Sequence, residues 1–263
     1  MNLESRNRKT AGWLRGCAVL AEAGSIQLEF IALARESGMM EFETAARRAF
    51  DVLLSKQPAD GLFPLLLDIH SGIWRDDSVS TGALGDSFYE SNVKTKTKVF
   101  SKKVFSAVLI KLWIFDGASL SSPMLRAWNA AWKGIKTRLL RRSGKRRMLF
   151  LGEIDGANQK SNRMGHLSCH MPAVLALAYR HIGDAELLTV AEELAETCFL
   201  LYSDSKTGLG PEAVEFYESG ELDCKFVSRK NRILFYHFHQ TELWTQSTFC
   251  VQNSLRACFI CIA

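Results

Sequence analysis

Apolar residues recur at helical spacing along most of this chain, and glycine or proline marks the breaks between runs. From Val19 to Glu36, the positions Leu20, Ala23, Ile26, Leu28, Phe30, Ile31 and Leu33 form a nearly continuous apolar face, the pattern of one helix laid on a core. Gly38 ends that run as a left-handed C-terminal residue. Phe42–Leu54 predicts an amphipathic helix with Arg47, Arg48 and Asp51 toward water. Pro58, Gly61 and Pro64 mark a loop, and Asp68–Thr81 reads as a turn-rich crossing. A further helix is expected to begin near Leu84. Pro123–Arg142 predicts another, with Ser122 as its cap and Pro123 at its first position. Leu149–Ile154 is strand-like, while Met164–His181 and Asp184–Tyr202 predict a helical hairpin joined at Gly183. Long helices in succession, separated by loops with short extended pieces, predict an all-α stack of hairpins with small β-turns. Two stretches break the pattern. Ser91–Ala107 interrupts what would otherwise be one helix running on to Lys111, Leu112 and Trp113. The tail from Arg232 is rich in cysteine and aromatic residues and keeps neither period.

Composition narrows the class. The 263 residues, 47% hydrophobic and 23% charged, suit a globular chain with one large core or two modest ones. The net charge of +5 is concentrated in Lys94, Lys96, Lys98, Lys102 and Lys103, and in Arg138, Arg141, Arg142, Lys145, Arg146 and Arg147. Such runs serve nucleic-acid binding or form a solvated loop or helix end. With no aromatic platform beside either, the second is preferred and no nucleic-acid partner is expected. The seven cysteines are too few for a disulfide scaffold. Their spacing fits no zinc template, Cys258 and Cys261 form a lone CxxC, and His237 and His239 alone do not make a metal site. Met1–Ala11 is polar and basic, without a signal-peptide core, and no stretch is long enough for a membrane helix.

Candidate chemistry rests on carboxylates. In "TGALGDSFYE", Asp86 and Glu90 stand four apart behind Gly82 and Gly85, so on a helix they share one face, toward either solvent or a pocket. Glu22 and Glu29 are seven apart and interrupt an apolar helix, which is costly unless they are paired, face a polar cavity or reach water at the helix margin. Glu212 follows the turn "GLGP" at a predicted helix start, where acidic charge is favoured in any case. His166, in "MGHLSCH", opens an apolar helix as a core, capping or site residue. Acidic groups from several helices meeting at one end of a helical barrel would suit glycoside hydrolysis, or calcium with its preference for oxygen ligands.

Taken together and in order, "LAEAGSIQLEF", "HSGIWRDDSVSTGALGDSFYE", "RMGHLSC" and "GLGPEA" resemble the class I α-1,2-mannosidases, glycoside hydrolase family 47, over roughly Trp13–Asn231. The resemblance implies a partial (α/α)7 barrel of helical hairpins. It implies removal of α-1,2-linked mannose from a high-mannose N-glycan with inversion, and calcium at the pocket floor. It places Asp86 on a catalytic acid or base, and Glu22, Glu90, His166 and Glu212 on residues lining the glycan and the water shell of the ion. Leu84 falls where the endoplasmic-reticulum subgroup is expected to carry arginine, which makes this chain similar to the Golgi subgroup. An aliphatic side chain there gives up bidentate hydrogen bonds to sugar hydroxyls, so a more permissive pocket is expected. Cys169 and Cys198 match the family's disulfide, which implies an oxidising, secretory-pathway setting.

The resemblance also predicts departures. The family's first helices and membrane anchor precede the matching region. Ser91–Ala107 is expected to be an insertion within a domain spanning 1–231, and 232–263 a divergent tail. The family's "RPE" motif and the threonine that binds calcium directly have no counterpart in that tail, so no direct calcium ligand is expected in this chain, and its hydrolysis is expected to be negligible.

Overall fold

The computed structural model describes residues 12–89, 91–92, 105–106 and 108–227. Glu90, the interior of 91–107, the lysine cluster, and the tail from Arg232 with its histidines and CxxC lie outside them.

Strand β1 (Cys17–Val19) pairs antiparallel with β2 (Leu66–Asp68) and runs directly into α1 (Leu20–Ser25). The single helix expected from Val19 to Glu36 is two. The chain turns at Ile26 and resumes as α2 (Gln27–Ser37), which Gly38 closes at φ 75° with its N–H on Ala34 O. Helix α3 (Glu41–Ser55) packs on α2 through Ala46, Phe50 and Leu53. Arg48 and Asp51 are exposed as expected, but Arg47 is not left to water. Its guanidinium grips Asp116 at 2.9 and 2.7 Å and Glu43 at 2.7 Å. The hydrogen bond to Asp116 leads the causes that raise its pKa above the usual arginine value.

The loop after α3 is pressed against the next layer. A Cβ on Gly61, at φ 83°, would meet Ala130 O at 2.1 Å, so only glycine lets Leu62 and Phe63 turn into the core. Helix α4 (Asp86–Tyr89) is followed by the short antiparallel pair β3 (Ser91–Asn92) and β4 (Phe105–Ser106), then α5 (Val108–Phe115). Ser91 stands opposite Ser106, and α4 and α5 pack together.

Helix α6 (Pro123–Gly134) starts as expected, with Ser122 Oγ accepting from Met124 N at 3.2 Å, but it ends early. A π-turn (Ile135–Leu139) leads to β5 (Leu140–Arg142), paired with β6 (Leu149–Leu151). The reason lies in the second basic cluster, most of which is pinned rather than solvated. Arg138 binds Asp60, Arg141 binds Asn162, Arg142 binds Glu193 at 2.5 Å, and Arg146 binds Asp204 and Asp223 at 2.9 and 2.8 Å. A continued helix would throw these side chains outward around its axis. The π-turn and strand present Arg138, Arg141 and Arg142 to Asp60, Asn162 and Glu193 on other segments.

Strands β7 (Glu153–Ile154) and β8 (Lys160–Ser161) form a second small pair. The helix expected from Met164 begins instead as β9 (Arg163–Gly165) and a 3₁₀ turn (His166–His170), and becomes α7 (Met171–Ile182) only afterwards. Gly183 ends α7 at φ 81°, and Asp184 caps α8 (Ala185–Ser203) by accepting from Glu186 N at 3.0 Å. Strand β10 (Ala213–Phe216) lies between β9 and β11 (Cys224–Phe226). The larger core joins α1 to α8 around Phe50, Phe63, Phe88, Trp113 and Trp128. A smaller one holds Phe150 stacked on Phe216 at 4.3 Å. Among the described residues, no helix is long and apolar enough to cross a membrane.

Candidate active site

One side of the site grows from the turn at 80–85. Ser80 Oγ accepts from Gly82 N at 2.9 Å and donates to Glu153 Oε1 at 3.0 Å. A Cβ on Gly85 would stand 2.2 Å from Ser80 O, so the tightness of this turn needs glycine there. Leu84 holds the left-handed φ of 69°, unusual for a branched aliphatic, and its carbonyl accepts from Ala21 N at 2.9 Å. Asp86 N then bonds Gly82 O at 2.7 Å, and the carboxylate opens α4 in a half-buried position. Behind it Phe88 is fully buried, with Gly24 of α1 so close that a Cβ would fall 2.1 Å from the ring. Glu22 therefore sits beside this turn, at the start of α1, and is exposed. Glu29 is exposed as well, so both carboxylates that interrupt the apolar run reach water.

The other side grows from β9 and β10. Gly165 faces Ala213 in the ladder, and His166 N donates to Glu212 O at 2.9 Å. The backbone thus sets His166 and Glu212 side by side, with the Glu212 residue exposed. The His166 ring touches the Tyr202 hydroxyl from α8, the rings meeting edge-on at 5.5 Å. The Cys169–Cys198 disulfide, Cα to Cα 5.9 Å, fastens the 3₁₀ turn to the same helix.

A buried hydroxyl pair joins the two sides: Thr81 Oγ1 donates to Ser168 Oγ at 3.0 Å. A Cβ on Gly82 would lie 3.2 Å from Ser168 Oγ, so the backbones meet closely here. Next to this seam stands His170. Its Nδ1 lies 2.5 Å from Leu167 O, and its Nε2 is out of reach of solvent. Burial pushes its pKa down to about 4, opposed by the Leu167 carbonyl and by the charge of Asp86.

The structure thus brings Glu22, Leu84 and Asp86 together on one side and His166 and Glu212 on the other, with Glu90 outside the described residues. Sequence reasoning missed Glu153, Ser168, His170 and Tyr202. Only His170 left a visible signal, four residues after His166 in "MGHLSCH". Among the described residues, no three His, Cys, Asp or Glu side chains are grouped to hold a metal ion.

A glycosyl hydrolase family 47 profile matches residues 1–245, a range that includes every candidate residue and passes Asn231. The endoplasmic reticulum mannosyl-oligosaccharide 1,2-alpha-mannosidase of Rattus norvegicus is 34% identical over 215 residues, covering 81% of this chain and 30% of the relative. Mannosyl-oligosaccharide 1,2-alpha-mannosidase IA of Sus scrofa is 32% identical over 249 residues, covering 93% of this chain and 35% of the relative. The chain spans about a third of the length of these curated relatives. Among solved structures, an alpha-1,2-mannosidase from Trichoderma reesei superposes with a TM-score of 0.66 at 23% identity, over 80% of this chain and 39% of that one. At that identity the likeness is one of fold, and it makes the stack of hairpins part of an (α/α)7 barrel. A profile matched across nearly the whole chain shows that this chain belongs to glycosyl hydrolase family 47.

Proposed function

We propose, against the negligible hydrolysis that the departures in the tail lead one to expect, that the protein hydrolyses α-1,2-linked mannose from high-mannose N-glycans with inversion, with Asp86 as an acid/base residue. The observation that carries the reading is the Thr81–Ser168 seam, which joins the Asp86 turn to the His166 turn through one buried hydrogen bond. An inverting displacement uses two carboxyl groups, one protonating the leaving oxygen and one activating water, about 6.5–9.5 Å apart. Asp86, half-buried, is suited to one of these roles. Glu22, His166 and Glu212 stand at the rim, where they would hydrogen-bond sugar hydroxyls, and Glu90 is assigned to the same lining. Calcium is proposed for the whole barrel on family grounds.

Leu84 supports a Golgi-type, permissive subtype. The two relatives above align at similar identity, so this assignment rests on that one residue. The Cys169–Cys198 bond supports a secretory-pathway location, because such bonds persist in oxidising compartments. The experiment is incubation of the purified chain with a nine-mannose glycan, with calcium supplied. Mannose release that Asp86→Asn abolishes is the result expected of the hydrolase, and neither release nor binding overturns the proposal. Calorimetric binding without release selects a second reading, a non-catalytic high-mannose glycan-binding or quality-control module, which the exposure of Glu22 and Glu212 favours.

A further inference from the structure

We propose that Glu153 is a positioning residue for the reaction, the clamp that fixes the Asp86 turn against the His166 turn. The inference rests on the reading of Asp86 as an acid/base residue, but its geometry is independent of any glycan. Both oxygens of the Glu153 carboxylate are in use, one toward each half of the site. Oε1 accepts from Ser80 Oγ at 3.0 Å, on the Asp86 side. Oε2 accepts from Arg163 Nη1 at 2.9 Å, on β9, the strand that leads into His166. Oε1 also lies 3.7 Å from where a Cβ on Gly165 would stand, so the carboxylate rests against the backbone just before His166.

The placement is built from several sides. Val79 and Ile154 exchange both backbone hydrogen bonds, at 3.0 and 2.9 Å, as an antiparallel bridge. The bridge sets Ser80, one residue on, beside Glu153, one residue back. The ladder of β7 and β8 pairs Glu153 with Ser161, two residues before Arg163. Glycine is required at position 152, where a Cβ would fall 2.3 Å from Arg141 Nη2 and 2.5 Å from Ser161 O. Backbone pairing on both flanks thus delivers the carboxylate to Ser80, which is itself buried.

From Glu153 the hydrogen bonds run without a break to the backbone of Asp86. Ser80 Oγ donates its one hydrogen to Glu153 and accepts from Gly82 N at 2.9 Å. Gly82 O in turn accepts from Asp86 N at 2.7 Å. The carboxylate orients the Ser80 hydroxyl, the hydroxyl orients the Gly82 peptide, and that peptide holds the first residue of α4. A glutamine at 153 supports only half of this. With its oxygen on Ser80, its amide N–H opposes the Arg163 N–H. Turned the other way, it leaves the Ser80 hydrogen without that acceptor.

The test is amide hydrogen exchange on the full, oxidised chain, read residue by residue by NMR, with mannose release measured alongside. Glu153→Gln and Ser80→Ala should each speed exchange at Gly82 and Asp86 about tenfold, the scale of one lost charge-assisted hydrogen bond. The amides of Ala191 and Leu194, buried in α8, should change by less than about twofold. The double variant should match the single ones, because all break one path. Acceleration spread evenly into α8, or none at Gly82 and Asp86, overturns the proposal. If Glu153→Gln does not fold, Arg163→Gln loosens the same carboxylate from its more exposed end. It should give about threefold at the same two amides, the scale of an exposed ion pair, and no change there overturns the proposal as well. In mannose release, Glu153→Gln should lower kcat about tenfold with KM within about twofold, the mark of a displaced acid/base group rather than a lost sugar contact. Release unaffected by Glu153→Gln sinks this proposal alone. A parent chain that releases no mannose sinks the hydrolase reading, while the exchange arm still decides whether Glu153 clamps the turn.

Discussion

The two halves of the candidate site are held in place by different means. The His166 half is built from long, locally specified pieces. Helices α7 and α8 run 12 and 19 residues, Gly183 and Asp184 set the turn between them, and a disulfide fixes the 3₁₀ turn to α8. The Asp86 half is built from short pieces held by contact. Helix α4 has four residues, far too few to be stable alone, and its place depends on α1, α5 and the glycine turn before it. One half is set by covalent and capping restraints close in sequence, the other by packing between segments far apart in sequence. The seam at Thr81 and Ser168 joins a rigid partner to a dependent one.

Removing the covalent restraint should have the largest effect. The double variant Cys169→Ser, Cys198→Ser opens a loop whose ends are 29 residues apart. It should lower unfolding free energy by about 3–4 kcal/mol, read by denaturant melts with and without reductant on the parent. If the parent is unmoved by reductant, the His166 half is held by its helices alone and the contrast weakens. Next is Gly24→Ala. The new methyl would fall 2.1 Å from the Phe88 ring, which is itself enclosed by Phe50 and Phe63 and cannot swing clear. Overpacking should exceed the roughly 1 kcal/mol that alanine gains in helix propensity and leave a net loss of about 2–3 kcal/mol. A loss below about 0.5 kcal/mol would show that α1 does not hold α4.

The same contrast decides what the sequence made legible. The α7–α8 hairpin could be read because Gly183 and Asp184 carry their own conformational preferences. Ser122 and Pro123 likewise announced α6. The break at Ile26 was hidden, because Leu20 to Leu33 continue the apolar spacing through it and only the packing of α1 on α4 demands the turn. The end of α6 at Gly134 was hidden too, since Arg138, Arg141 and Arg142 find their carboxylates on other elements. In the site, Asp86, Leu84, His166 and Glu212 could be picked out because they sit in recognisable motifs. Ser168 and Glu153 could not, because a seam between distant segments leaves no spacing to detect.

The smallest predicted effect concerns acid, and it acts where the two halves meet. His170 titrates near 4 in the folded chain and near 6.5 when unfolded, chiefly because burial disfavours its charged form. The unfolded chain therefore binds the proton first as pH falls. The stability associated with the neutral ring is complete above about pH 6.5 and is lost progressively as pH falls toward 4. The shift corresponds to about 3–4 kcal/mol, and about 2 is expected once the half-open setting of the residue is allowed for. The carboxylates whose pKa values are lowered, Asp68 and Asp223, act below their ordinary value of 3.8 and so outside this window. His181, also shifted down by burial, adds in the same direction from the exposed end of α7. Melts of the parent and of His170→Asn between pH 7 and 4 separate the contributions, since the variant should lose most of the slope and keep that of His181. If the slopes are equal, the ring does not stay neutral on folding, and the seam between the two halves is indifferent to acid.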